Sequence, residues 1–443
     1  MGLRDRIASE REQSSQAALA GTEHYRRRLL EEVDLAELAG LTDTQRRVRL
    51  ERIVGRMVTH EGPVMTTSQR TALIRRVIDE AIGLGVLEPL LADESITEIM
   101  VNGPGDVWVE RDGRIEQADV HFTSDSQLYQ TIDRIVSQVN RRVDESSPMV
   151  DARLPTGERV NVIIPPLSLI GPIVTIRRFP RRFTLSQLVE SGTLDDPTRR
   201  LLSAFVRARL NIVISGGTGA GKTTLLNAMS AAILERERIV TIEEAAELQL
   251  QQPHVIPLEA RPANVEGKGE ITIRDLVRNS LRMRPDRIIV GEVRGIETLD
   301  MLQALNTGHE GSLVTVHANT ADDALYRLET LATMSDLHIP HAALREYINN
   351  AIHVVVQIDR GADGLRRVIE VAVVASQRGE PFRLQTAMRF EADPVGADRR
   401  ITGRPRHYAL PERIVKHLML TGVDVPPSFQ LAAGEAAPTR EIE

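Results

Sequence analysis

No cysteine occurs among the 443 residues. Disulfides and thiolate metal sites are thereby excluded, and a reducing, cytosolic setting is permitted. Aromatic residues make up only 3% of the chain, too few to line a channel with stacking platforms for single-stranded nucleic acid. Basic charge is not in excess either: 55 Lys and Arg stand against 62 Asp and Glu, a formal net charge of -7. Nucleic-acid binders usually carry the opposite balance, so no nucleic-acid partner is expected. No window approaches the ~18 consecutive apolar residues of a membrane span. The opening MGLRDRIASEREQ is too charged for a secretory signal. These absences lead to the expectation of a soluble, cytoplasmic protein that meets a membrane only through partners or a surface patch.

What is present suits packed domains. Hydrophobic residues reach 42%, and the length fits two or three domains. Residues 1–90 read as a helical N-terminal region, with Thr67 as cap of a helix that carries Leu73, Val77 and Ala81 on one side. The basic stretch Arg46–Val58 is either a solvated helix face or a docking surface for an acidic partner or membrane. Residues 91–185 read as an α+β domain. Its strands are Ile96–Val101, Val107–Glu110, 159–164 and 173–179, with Asp112-Gly113 as a tight turn and a helix over Leu128–Val139. Residues 180–195 read as a linker.

Over residues 196–390, helices alternate with five short apolar strands: Asn211–Ser215, Ile239–Ile242, Arg287–Val290, Leu313–Val316 and His353–Ile358. That alternation predicts an α/β domain on a parallel sheet. Residues 391–443 read as a C-terminal extension.

After the first of these strands comes Gly216-Gly217-Thr218-Gly219-Ala220-Gly221-Lys222-Thr223-Thr224, and then an apolar helix. Glycines let backbone N–H groups turn inward around phosphate oxygens, and a helix N-terminus adds its positive end. Lys222 is placed to reach the β- and γ-phosphates, and the Thr223 hydroxyl to ligate Mg²⁺. ATP and magnesium are therefore the expected cofactors.

Two other buried strands end in acids. TIEEAAEL carries Glu243, Glu244 and Glu247 within five residues, and RIIVGE ends in Glu292. Triphosphate hydrolysis needs carboxylates to hold magnesium and orient water at the C-terminal ends of such strands. Glu292 is the first candidate to polarise the attacking water, while Glu243 and Glu244 are expected to face magnesium and water. His317, at the end of a fourth strand, could donate to the γ-phosphate. His309 and His317 lack metal-ligand spacing. Arg282, Arg284 and Arg294 flank the Glu292 strand, and Arg153, Arg159, Arg177 and Arg178 lie in the preceding domain. Any of them is a candidate arginine finger acting across a subunit boundary.

GGTGAGKTT, TIEEAAELQLQQPH, RMRPDRIIVGEVRG and TGHEGSLVTVHANT, in this order and spacing, resemble the type II/IV secretion ATPases. The resemblance covers about residues 70–375. It is closest to the CpaF/TadA-type ATPases of tight-adherence (Flp) pilus systems. By that likeness Gly216–Thr223 is a Walker A box, Ile242–Glu247 an aspartate box, Ile288–Glu292 an atypical Walker B box and Thr307–His317 a histidine box. The resemblance implies a RecA-like P-loop ATPase domain behind an α+β N-terminal domain, with nucleotide between them and Arg177 and Arg178 among the nucleotide-binding residues. It implies a homo-hexameric ring that powers pilin assembly through an inner-membrane platform protein, so that the chain sits peripherally at that membrane. Two features depart from the family: Glu244 stands where the aspartate box has Asp, and the four-cysteine zinc module of the type II branch is missing. A nucleic-acid translocating ATPase on the same core is the alternative.

Overall fold

The computed structural model describes residues 22, 24–29, 31–33, 41–61, 65–111, 114–138, 141–178, 183–263, 268–335, 337, 339–376, 380–393, 401–430 and 438–442. Packing divides the chain into two units, Met1–Phe179 and Pro180–Glu443.

In the first unit, helices Asp43–Glu61 and Thr67–Ile82 close on Leu50, Val54, Met57, Val58, Val77 and Ile78. The cap of the second helix is Thr66, one residue before the expected Thr67. Its side chain accepts from the Gln69 N–H while Gln69 reaches back to its backbone. The six-stranded antiparallel sheet contains β1 (Ile96–Asn102), β2 (Val107–Arg111), β3 (Arg114–Gln117), β4 (Met149–Arg153), β5 (Arg159–Ile163) and β6 (Ile173–Arg177), in the order β3-β2-β1-β6-β5-β4. Period-two alternation sends Ile99, Val101, Val160, Val162, Val174 and Ile176 to one face. Helix Asp125–Gln138 covers that face with Leu128, Ile132 and Ile135. β2 and β3 pair with Arg111 opposite Arg114; the expected Asp112-Gly113 turn lies outside the described residues. The helical pair is not separate from this sheet. Arg134 of the covering helix donates to the carbonyls of Glu80 and Gly83 at 2.8 and 2.7 Å, and so holds the two parts together.

The second unit begins earlier than a linker over 180–195 would allow. Residues 185–190 form a helix capped by Thr184, and Leu185, Leu188 and Leu194 enter the core. Apolar burial decides this against the loop-like composition. The large sheet adds β7 (Ile212–Ser215), β8 (Ile239–Glu243), β9 (Val255–Glu259), β10 (Arg287–Val293), β11 (Leu313–Val316), β12 (Val354–Arg360), β13 (Arg366–Val374), β14 (Arg383–Ala392), β15 (Gly403–His407) and β16 (Thr439–Glu441). Its order is β15-β14-β13-β12-β7-β11-β10-β8-β9, with β16 also on β14.

From β12 to β9 every pair is parallel, which is the expected α/β architecture. With β9 set aside at the edge, the order is that of a RecA-like core. Alternate residues serve both faces. Ile212, Ile214, Ile239, Ile289 and Leu313 pack against helices Asp196–Arg207 and Lys222–Ser230. Val213, Val240, Ile242, Ile288, Val290, Val314 and Val316 pack on the opposite face, against Glu297–Leu305, Ala321–Thr333 and His341–Ala351. Burial on both faces explains why these strands read as unbroken apolar runs. The expected boundary at 390 falls inside β14, because β13–β16 extend the same sheet and Ile414 and Leu418 join its core. Among the described residues no helix is long and apolar enough to cross a membrane.

Candidate active site

Parallel register brings four segments to one edge of the large sheet. Val316 pairs with Ser215, Val293 with Val316 and Val290 with Ile242. The ends of β7, β11, β10 and β8 therefore lie side by side, and the residues that follow them meet.

The loop after β7 opens the helix Lys222–Ser230. Gly216 must be glycine, because a Cβ there would stand 2.3 Å from the Ile358 carbonyl of β12. Gly219 and Gly221 hold left-handed φ of 71° and 99°. Ala220 is buried, whereas Thr218 and Gly219 are exposed at the crest, and Gly217, Thr223 and Thr224 are half-buried. Lys222 Nζ lies 3.1 Å from both the Gly216 and Gly217 carbonyls and donates to them. Burial pulls the Lys222 ammonium below the usual lysine range, opposed by the Glu292 charge 3.7 Å away.

Glu292 sits on a β-bulge. Val290 pairs with Val314 and Val293 with Val316, so Gly291 and Glu292 together oppose the single residue Thr315. The extra residue re-aims the side chain. Glu292 Oε1 faces Lys222, while Oε2 accepts from Arg294 Nε and Nη2 at 2.9 and 2.6 Å. Arg294 also donates to Glu244 Oε2 at 3.0 Å. Charges thus alternate along Lys222, Glu292, Arg294 and Glu244. The Arg294 turn is fixed by the buried Glu297, whose Oε1 accepts the N–H groups of Arg294 and Gly295 at 2.7 and 2.9 Å.

The two acids after β8 part company. Glu244 is open to solvent and is tied to the site by Arg294. Glu243 is 4% exposed, and its Oε1 accepts the N–H groups of Glu247 and Leu248 at 2.8 and 3.0 Å. Burial pushes its carboxyl up to about 7 against those two donors. A Cβ on Gly291 would stand 2.7 Å from Glu243 Cγ. The glycine at 291 thus makes room for Glu243. Where the sequence suggested that Glu243 faces magnesium, the structure shows its carboxylate organising the loop backbone.

His317 is exposed at the end of β11, on the site edge. His309 precedes β11 at the opposite edge and faces the Ala304 carbonyl at 3.3 Å, so the histidine box spans the sheet. Arg282 and Arg284 also lie at that far edge, before β10 begins. In the first unit, Arg153, Arg159 and Arg177 stand in register across β4, β5 and β6. Arg178 donates to the carbonyls of Asp93 and Ile96, which ties down a turn in its own unit. Among the described residues no group of three or more His, Asp or Glu could hold a metal ion.

Two site residues carried no sequence signal strong enough to find them. Glu297 shows only as an acid in the first turn of a helix. Arg366, on β13, donates from Nε to the Gly219 carbonyl at 3.0 Å, across 147 residues of chain.

A sequence model described as "Type II/IV secretion system protein" matches residues 80–399. A putative conjugal transfer protein of Mycobacterium tuberculosis is 41% identical over 330 residues, covering 73% of this chain and 92% of that one. Type IV secretion system protein PtlH of Bordetella pertussis is 38% identical over 320 residues, 65% of this chain and 93% of PtlH. Among solved structures, the VirB11 ATPase of the Brucella suis type IV secretion system is 29% identical, with a TM-score of 0.36 over 65% of this chain and 95% of that one. The chain belongs to the type II/IV secretion system protein family, as a P-loop ATPase.

Proposed function

We propose that this chain is a motor subunit whose ATP hydrolysis drives assembly of a tight-adherence (Flp) type pilus or a related type II/IV secretion machine. One observation carries most of the reading: Lys222 of the cradle and Glu292 face each other at 3.7 Å on one sheet edge. The left-handed torsions at Gly219 and Gly221 and the helix start at Lys222 suit a phosphate chain. In this reading the amides of 216–224 and Lys222 hold the phosphates, and the Thr223 hydroxyl holds magnesium. Magnesium, when bound, neutralises charge on the β- and γ-oxygens.

Glu292 takes a proton from the attacking water as its oxygen bonds to the γ-phosphorus and the bond to the β,γ-bridging oxygen breaks. Arg294 orients Glu292, and Glu244 in turn holds Arg294. The longer acid at 244 reaches Arg294 at 3.0 Å. His317 contacts the γ-phosphate from the end of β11. The subunits form a hexameric ring, docked at the inner membrane through a platform protein.

Steady-state ATP hydrolysis per subunit, followed against protein concentration, tests this directly. Activity is expected to rise steeply with concentration and to fall at least about 100-fold in Glu292→Gln, the scale of losing a general base. Nucleotide binding without turnover at any concentration would remove the motor reading. A nucleic-acid translocating ATPase on the same core is the second reading, and some relatives bear conjugal transfer names. It predicts stimulation by single-stranded DNA, which the -7 charge and 3% aromatics disfavour.

A further inference from the structure

The cradle has a second flank. β12 lies beside β7 on the side away from β11, and it is the longer strand. Gln357 pairs with Ser215 where β7 ends, and Ile358–Arg360 continue alongside the glycine loop. The approach is close, as the 2.3 Å between a Gly216 Cβ and the Ile358 carbonyl shows. β13 returns antiparallel, with Arg366 opposite Arg360. Besides the bond from its Nε to the Gly219 carbonyl, Arg366 places Cδ 3.1 Å from where a Gly221 Cβ would be. Lys222 thus holds the carbonyls of Gly216 and Gly217, and Arg366 holds that of Gly219. Three of the loop's carbonyls are thus held by cationic side chains, and the Gly217 carbonyl also accepts the Ala220 N–H at 3.3 Å.

The hairpin that carries Arg366 is built to be stiff. Asp363 accepts from Arg367 Nη1 and Nη2 at 3.0 and 2.7 Å and from the N–H groups of Leu365 and Ile401 at 3.2 Å each. Arg367 also donates to the Ile401 carbonyl at 2.8 Å. The Arg367 guanidinium holds the Asp363 carboxyl well below the usual carboxylate range. A rigid tip has no need of an exposed leucine for its own fold, yet Leu365 is 54% exposed beside Arg366.

A nucleoside triphosphate is a linear ligand. Its reacting end belongs with Glu292 on β10, to one side of β7. Its phosphates run along the loop, so the nucleoside leaves on the other side, over β12 and β13. We propose that Arg366 and Leu365 form the wall that receives the nucleoside end. Arg366, positioned by its bond to the loop crest, donates to the ribose, while Leu365 offers apolar ground to the base. This inference rests on the ATPase reading and names residues that the reading does not require.

Two diphosphates separate the roles, because ADP carries a nucleoside and pyrophosphate does not. Calorimetric affinities for both would be measured with the full chain, Arg366→Ala, Arg366→Lys and Leu365→Ser, each first checked by thermal melting. Arg366→Ala is expected to weaken ADP about tenfold, or 1.4 kcal/mol, and to leave pyrophosphate within about twofold. Arg366→Lys should recover part of the loss. Leu365→Ser should weaken ADP alone, about threefold or more on the scale of one exposed apolar contact. Equal weakening of both ligands by Arg366→Ala would make Arg366 a structural tie of the loop and overturn the proposal. An unchanged ADP-to-pyrophosphate ratio in Leu365→Ser would overturn it even if Arg366→Ala did not fold. Should the unaltered chain bind pyrophosphate but not ADP, the nucleoside wall is wrong while a phosphate cradle stands. Should it bind neither, the ATPase reading falls first.

Discussion

Glu243 shows how a single side chain can carry chemistry without performing it. Its carboxyl is buried and held up to about 7. Between the ordinary glutamate value of 4.5 and about 7, the folded chain keeps a proton there that the unfolded chain has lost. Stability from this group is therefore full at low pH and declines as pH rises through that window. Glu243→Gln keeps an acceptor for the Glu247 and Leu248 amides and removes the titration. Melting curves should show this variant above the parent at pH 8, with the gap closing toward pH 5. The same variant should retain hydrolysis, whereas Glu243→Ala, which leaves two buried amides unpaired, should lose it. Loss of turnover in Glu243→Gln equal to that in Glu292→Gln would restore Glu243 to the catalytic group.

At the scale of an element, β10 is the strand that ties the site to the rest of the sheet. Its far end begins with Arg287, which is 0% exposed. The guanidinium binds Glu237 at 2.7 and 3.0 Å and donates to the Gly311 carbonyl at 2.9 Å. A Cβ on Gly311 would stand 2.7 Å from Arg287 Nη1, so the turn into β11 is shaped around this arginine. Glu237 also binds Arg209 at 3.0 Å. Arg287 thus sets where β10 and β11 start, and the bulge at Gly291-Glu292 sets where they end. Removing Glu237 would leave Arg287 as a buried charge without its counterion, a change that typically costs about 3–5 kcal/mol. Urea unfolding of Glu237→Ala should show a loss of that size. A loss below about 1 kcal/mol, the range of surface pairs, would mean that Gly311 and water suffice for Arg287.

At the scale of the whole molecule, β16 completes the sheet of the second unit. β16 adds to β14, and Arg440 within it binds Asp322 at 2.8 and 2.9 Å and Glu370 at 2.7 and 3.0 Å. Glu370 further accepts from Thr386 and Arg389 at 2.7 and 2.9 Å. A helix start, two inner strands and the last strand share one half-buried charge cluster. Arg440→Ala should release β16 and expose the edge of β14. Amide exchange over residues 383–386 should then rise about tenfold or more, while the strands around the cradle keep their protection. Unchanged exchange would show that backbone pairing alone retains β16.

Local pattern was enough for a large share of this protein. Periodicity placed the five strands around the cradle, because a strand buried on both faces is apolar throughout. GGTGAGKTT announced its loop, because torsions that only glycine adopts easily leave a mark in the sequence. The family followed from four such marks in order. What stayed hidden was every feature made by segments distant in the chain. The short helix at 185–190 looked like a linker, since its apolar residues find partners only in the folded core. Asp-like and Glu-like roles could not be separated for Glu243, Glu244 and Glu292, because burial, a bulge and Arg294 distribute them. Arg366 lies far downstream in a strand with no motif of its own. A sequence records what the backbone must do locally. Which side chains meet, and with what charge and solvation, is decided only when parallel strands bring remote positions to one edge.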